Sequence, residues 1–268
     1  MAERGTEQEQ RTLSDERAAG DAAAPVEVRV LATAEEVCEA VADELVELVR
    51  GRPEAVLGLA TGSTMIGLYA ALSARVRDGA VSLERVRTFN LDEYLGLPEA
   101  SPMSFRAFMD EHLFGPCGID VARVAFPVTP GAEDADVRAF EDAIHAAGGI
   151  DLQLLGLGGN GHIAFNEPGS LRDSRTRAVE LAPRTRADAA AAFGGLDSVP
   201  TRAVTMGVGT ILEARTIRML ALGAHKADVV SRMLAGVPGS ELPAGFLAGH
   251  PDVRLLVDAA AASGPDGR

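Results

Sequence analysis

Residues 150–169 read IDLQLLGLGGNGHIAFNEPG. The first part, Ile150 to Gly158, is the most apolar run of strand length in the chain, the pattern of a strand buried on both faces of a parallel sheet. The chain then changes character within one turn, to glycines, two asparagines, one histidine and one glutamate. Gly156, Gly158 and Gly161 match the G-x-G-x-x-G spacing of a dinucleotide turn. That fingerprint requires a long helix after the glycines, and Pro168 stops any helix within a few residues. The glycines therefore predict a tight loop passing close to a ligand. The imidazole of His162 suits proton transfer, and Glu167, five residues on, can orient its ring. A lone loop histidine is ordinarily a surface residue. One in a glycine loop, beside a carboxylate and at the end of the most buried strand, reads as functional.

Working outward, strands alternate with helices. VEVRVLAT (26–33), AVLGLA (55–60), RVRTFNLD (85–92), RAVTMGV (202–208), TIRMLALG (216–223) and VRLLVDA (253–259) read as strands. Thr33 with Glu36 forms a capping box before a helix with an apolar stripe of Val37, Val41, Leu45 and Leu48. Further helices are expected after TGST, over 104–114, 135–148 and 226–236. This predicts an α/β protein, Rossmann-like, with a mostly parallel sheet covered by helices on both faces. Ligands in such sheets bind at the carboxyl ends of the strands. Residues 1–25 are polar and read as a disordered tail, 26–260 as a single domain, and 261–268 as a flexible tail.

The bulk numbers narrow the partners. The chain has 268 residues and a net charge of −14, which opposes nucleic acid and anionic membranes. No run is long and apolar enough for a transmembrane helix, and there is no signal-peptide core. Cys38 and Cys117 have no metal or disulfide spacing and read as buried thiols. The expected setting is cytoplasmic.

Three further loops carry candidate chemistry. In ATGST, small residues let backbone N–H groups approach an anion, with Thr61, Gly62, Ser63 and Thr64 adding hydroxyls and space. An ordinary capped turn fits those residues equally well. In FNLDEYLGL, Asp92 suits proton abstraction beside a carbonyl, although an Asp–Glu pair taken alone reads first as a helix cap. Lys226 opens a helix, where its charge opposes the macrodipole unless an anion is bound. A solvated lysine is the plain alternative.

Together LGLATGST, TFNLDEYLGL, GNGHIAFNEPGS, SRTR, TMGVGTILEA and LALGAHKA resemble, in order and spacing, the glucosamine-6-phosphate deaminase family, from about residue 27 to about residue 260. FNLDEY and GHIAFNEP are the specific segments. The related 6-phosphogluconolactonases share the glycine–histidine loop without the FNEP continuation. The resemblance implies conversion of an amino-sugar phosphate to a ketose (fructose 6-phosphate) and ammonia, with no metal or cofactor. It assigns ring opening to His162 tuned by Glu167, with Asn160 in the same catalytic set, the C2 base to Asp92, the substrate phosphate to residues 61–64 and Lys226, and a further substrate contact to Gly161. A homo-oligomer is compatible with the family, which includes monomers and hexamers.

The sequence departs from the family at four places. Asn160 stands where an aspartate is usual, keeping shape but not charge. Ala191 stands where an arginine grips the phosphate, and Met65 where a proline opens the first helix of that loop. These two changes lean toward a ligand altered at its phosphate end, with Arg186 and Lys226 as the nearest compensating cations. Another amino sugar in secondary metabolism and a non-catalytic sensor are the alternative functions. Val179 stands where members activated by an acetylated sugar phosphate carry a lysine, next to a retained Arg177. Unregulated kinetics are therefore expected.

Overall fold

The computed structural model describes residues 26–98, 100–128 and 137–264. Both predicted tails therefore lie wholly or partly outside the described residues. The elements run β1 (Glu27–Leu31), α1 (Ala34–Gly51), β2 (Val56–Leu59), α2 (Ser63–Arg77), β3 (Arg87–Asn90), β4 (Asp92–Tyr94) and α3 (Phe105–Met109). They continue β5 (Val124–Ala125), α4 (Val137–Ala146), β6 (Leu152–Gly156), β7 (Arg177–Glu180), α5 (Pro183–Ala189) and β8 (Arg202–Thr205). The last are α6 (Val208–Leu212), β9 (Thr216–Ala221), α7 (Ala227–Leu234), β10 (Val253–Asp258) and α8 (Ala259–Ala262).

Seven strands form one parallel sheet in the order β1-β10-β9-β6-β2-β3-β5. The chain leaves β2 outward through β3 and β5, returns to β6 on the other side of β2, and then moves away through β9 and β10. Adjacent strands β2 and β6 thus mark the switch point, where diverging connections open a crevice at the carboxyl ends. Strand β2 and the first four residues of β6 are buried, as their apolar runs demand. Edge strand β1 is only partly covered, with Val30 exposed.

The capping box holds α1: the Glu36 N–H donates to Thr33 Oγ1 at 3.1 Å. Its return bond runs from Ala32 N–H to Glu36 Oε2 at 2.9 Å. Val37, Val41 and Leu45 of the expected stripe are buried in the core, and Leu48 packs at its margin. Cys38 and Cys117 are both buried and free. No helix among the described residues is long and apolar enough to cross a membrane.

Two strand assignments change. The run 85–92 is not one strand: β3 ends at Asn90, the chain turns at Leu91, and β4 enters a second sheet. Residues 202–205 do not join the parallel sheet either. They form the middle strand, β8, of an antiparallel sheet ordered β4-β8-β7. Apolar residues alone cannot report strand direction, so both fall in with the parallel set when read from sequence. Ala261 is buried in α8, one residue past the domain limit drawn from sequence at 260.

Candidate active site

A cavity of about 280 Å³ opens at the β2/β6 switch point. Its walls include Thr61, Gly62, Ser63 and Thr64 from the loop after β2, Asp92, Gly158 and His162 from the glycine loop, and Lys226. The loops singled out in the sequence therefore converge. A larger open groove of about 1110 Å³ runs between α1 and the sheet. Two of its three arginines are already neutralised, Arg218 by Glu44 and Asp252, and Arg254 by Glu44 and Glu27; the third, Arg29, stands on the edge strand β1. The uncommitted chemistry lies in the smaller cavity.

Asp92 and Glu93 are neighbours in β4, so their side chains leave on opposite faces. Glu93 is fully buried and accepts the N–H groups of Tyr94 at 2.9 Å, Phe105 at 3.0 Å and Arg106 at 2.9 Å. It is a structural carboxylate that anchors the start of α3. Asp92 faces the cavity, and its carboxylate accepts no hydrogen bond from the described residues. Burial, with a smaller push from Glu93, raises its pKa to about 8. The helix-cap reading of this pair thus holds for Glu93 and not for Asp92.

The glycine loop explains its own composition. Asn160 Oδ1 lies 2.8 Å from His162 Nδ1, and Asn160 Nδ2 donates to Glu167 Oε2 at 2.6 Å. Glu167 Oε2 lies 3.6 Å from His162 Nδ1, and Thr185 Oγ1 donates to Glu167 Oε1. An amide oxygen can only accept, so Nδ1 carries a proton and Nε2 is left as the reactive nitrogen. Burial raises the Glu167 carboxyl, but hydrogen bonds from His162, Thr185 and Asn160 outweigh it and hold the pKa at about 2. The imidazole lies over Gly158, where a Cβ would sit 2.4 Å from Cδ2, Cε1 and Nε2. Gly161 adopts φ 88°, and a Cβ there would meet Leu242 Cγ at 2.3 Å. Ala164, another wall residue, is the non-glycine residue with positive φ, 51°, among the described residues. Such strain clusters at functional sites.

The FNEP continuation is a latch. Asn166 is buried and donates through Nδ2 to the carbonyls of Ile163 at 3.0 Å and Met206 at 2.8 Å. Arg177 donates to Asn166 Oδ1 at 2.8 Å. The loop is thereby tied to the antiparallel sheet that carries Asp92.

At the other end of the cavity, Gly62 is the N-cap of α2 with φ 108° and supplies no side-chain cap. The first N–H groups of a 15-residue helix are left open beside the Ser63 and Thr64 hydroxyls, a surface suited to an anion. Lys226 Nζ donates to Leu157 O at 2.7 Å, leaving two further donors, and burial lowers its pKa.

Of the positions that depart from the family pattern, Met65 is fully buried in the core and lines none of this cavity. Ala191 is exposed in the turn after α5. Arg186 is committed elsewhere, to the carbonyls of Leu196 at 3.0 Å and Val199 at 3.1 Å. The lean toward an altered phosphate end thus loses its Met65 support, and Arg186 is no compensating cation. Two features of the site escape a reading of the sequence. One is Thr185, which binds Glu167 across 18 residues. The other is the aromatic wall of Phe105 and Phe165, whose ring centroids are 5.9 Å apart. No local pattern marks either.

An open parallel sheet whose switch-point cavity gathers an open helix start, a buried carboxylate and an oriented imidazole is the arrangement of an enzyme site on a Rossmann-like fold. The sequence profile of the glucosamine-6-phosphate isomerases/6-phosphogluconolactonase family matches residues 30–255, and the chain belongs to that family. It is 49% identical over 222 residues to a glucosamine-6-phosphate deaminase of Hahella chejuensis, covering 83% of this chain and 85% of that one. A solved monomeric glucosamine-6-phosphate deaminase superposes with a TM-score of 0.84 at 38% identity, covering 89% of this chain and 99% of the other. The 6-phosphogluconolactonase of Trypanosoma brucei shares the fold, with a TM-score of 0.71 at 24% identity, over 89% of this chain and 98% of that one.

Proposed function

We propose that this chain is a glucosamine-6-phosphate deaminase, releasing ammonia and a ketose 6-phosphate. The observation that carries the reading is Asp92 and His162 in the walls of one cavity, the imidazole held from behind by Asn160 and Glu167, together with an open helix start and Lys226. His162 Nε2 takes the proton of the C1 hydroxyl and returns one to the ring oxygen, which opens the pyranose. Asp92 removes the C2 proton, giving an enolamine across C1 and C2. Delivery of that proton to C1 leaves an imine at C2. Water adds there and ammonia departs, so the step is an isomerisation completed by hydrolysis of the imine. Glu167 stays ionised and holds the imidazole as its charge changes. The phosphate sits on the 61–64 loop and Lys226.

Ammonia release across a panel of amino sugars, with and without a 6-phosphate, tests the assignment. Glucosamine 6-phosphate should give the highest kcat/KM. Preference for an unphosphorylated amino sugar would overturn the substrate. Tight binding without turnover of any of them would make the protein a sensor.

A further inference from the structure

Arg184 lies in the first turn of α5, its guanidinium beside the glycine loop: a Cβ at Gly159 would stand 3.6 Å from Nη2. Its backbone position is fixed from both sides. Thr185, the next residue, donates to Glu167, and Phe193 beyond the helix packs edge-on against Tyr94 with ring centroids 5.3 Å apart. The other arginines of this region are occupied. Arg175 pairs with Glu141 and Glu213, Arg177 holds Asn166, and Arg186 holds two carbonyls. Arg184 has no carboxylate partner among the described residues. Asp188, one helical turn further and on the same face, is near enough for its charge to favour protonated Lys226. Arg184 and Asp188 are exposed and stand outside the cavity's walls, on the side where Lys226 lies. Lys226 Nζ and Arg184 Nη2 bear on the same stretch of backbone, Leu157 to Gly159.

We propose that Arg184 supplies the guanidinium that closes over the substrate's phosphate, so the site keeps its phosphate specificity with alanine at 191. The proposal rests on the deaminase reading for its substrate. The charge arrangement suits a phosphate. A dianion held by the α2 N–H groups and the Lys226 ammonium presents free oxygens to a planar fork.

Steady-state ammonia release from glucosamine 6-phosphate reads the proposal. Loss of a hydrogen bond to a charged group corresponds to roughly a 10- to 150-fold weakening. Arg184→Ala should raise KM by about that factor with kcat changed less than about threefold, as expected for binding shared by ground and transition states. Arg184→Lys should recover part of it, and the Ki of inorganic phosphate as competitor should rise in parallel. Ala191→Arg should add little to the native chain and restore KM in the Arg184→Ala background. Unchanged KM and Ki in Arg184→Ala would overturn the proposal, as would a fall confined to kcat. Should the native chain release no ammonia, the deaminase reading fails separately. Calorimetric titration of inorganic phosphate then decides Arg184 alone: weaker binding in Arg184→Ala supports it, and equal binding or none in the native chain sinks it.

Discussion

One rim of the cavity consists of the loops that leave β2, β6 and β9; the other consists of β4, the start of α3 and the antiparallel sheet behind them. The first rim works mainly through backbone. Its open N–H groups, its carbonyl on Lys226 and its glycines under and around His162 need small residues more than particular side chains. The second works through single side chains, Asp92 and Phe105, with Thr185 set behind the wall on Glu167, each placed by a strand or helix whose partners are far away in sequence. Strand alternation decides that Asp92 enters the cavity while Glu93 ties down α3. A backbone rim is announced by composition, whereas a side-chain rim is visible only when its elements are assembled.

The largest effect should fall on the second rim. Asp92→Asn is expected to lower turnover roughly 10²–10⁴-fold, the usual contribution of a proton-transfer group, and to abolish solvent deuterium exchange at C2. The same variant tests burial. Because the folded pKa, about 8, lies above the ordinary carboxyl value, the native state binds the proton more tightly than the unfolded chain. That stabilisation is complete below the unfolded pKa and is lost as pH rises through about 8. Asp92→Asn should therefore unfold at a higher temperature than the native protein at pH 8–9. The kcat/KM profile of the native chain should rise with pH across the same window. Unchanged exchange, or a variant less stable at alkaline pH, would remove Asp92 from this role.

Next in size is a break in the first rim. Gly158→Ala puts a methyl where the imidazole now rests, and displacement of a catalytic group by about 1 Å can cost roughly 10²-fold. Its far-UV circular dichroism should stay native while kcat falls, and the loss should be much smaller with an open-chain substrate analogue. An active Gly158→Ala chain would show that the ring's seat is not needed.

Glu167→Gln is expected to do less, about tenfold in kcat, since one charge-assisted interaction of roughly 1.5 kcal/mol is weakened while the shape is kept. Here the sign reverses. A carboxyl held at about 2 contributes stability above its unfolded pKa and loses it as pH falls through about 2. The variant should show a flatter acid-unfolding curve between pH 4 and 2. A steeper curve contradicts the hydrogen-bond network described around this residue.

The smallest expected effect is none. Arg177 already holds Asn166, and Val179 carries no charge for a second phosphate. Velocity against glucosamine 6-phosphate should be hyperbolic, and N-acetylglucosamine 6-phosphate should not activate. A sigmoidal curve relieved by that compound would contradict both statements.

The two rims also differ in how much of them is legible before folding. Apolar periodicity locates most of the parallel strands and helices because burial on both faces leaves a local signature in β2 and β6. It misassigns residues 202–205, since a buried antiparallel strand carries the same residues. The motifs name Asp92, Asn160, His162, Glu167, Lys226 and the 61–64 loop; the fold brings Asp92, His162, Lys226 and that loop to one cavity and sets Asn160 and Glu167 behind the imidazole. Met65 is misjudged because sequence proximity to a loop does not say which way a helix residue faces.

By itself the sequence determined the fold class, the glycine loop and the types of group available for chemistry, because period, chain stiffness and side-chain pKa are properties of neighbouring residues. The tertiary structure decided which of two adjacent carboxylates faces the cavity, which arginines are tied up in hydrogen bonds and ion pairs, and how Thr185 joins the His162 group. Those outcomes depend on contacts across 12 to 18 residues or more, such as Phe105 to Glu93 and Thr185 to Glu167. Only the assembled chain brings such groups within reach.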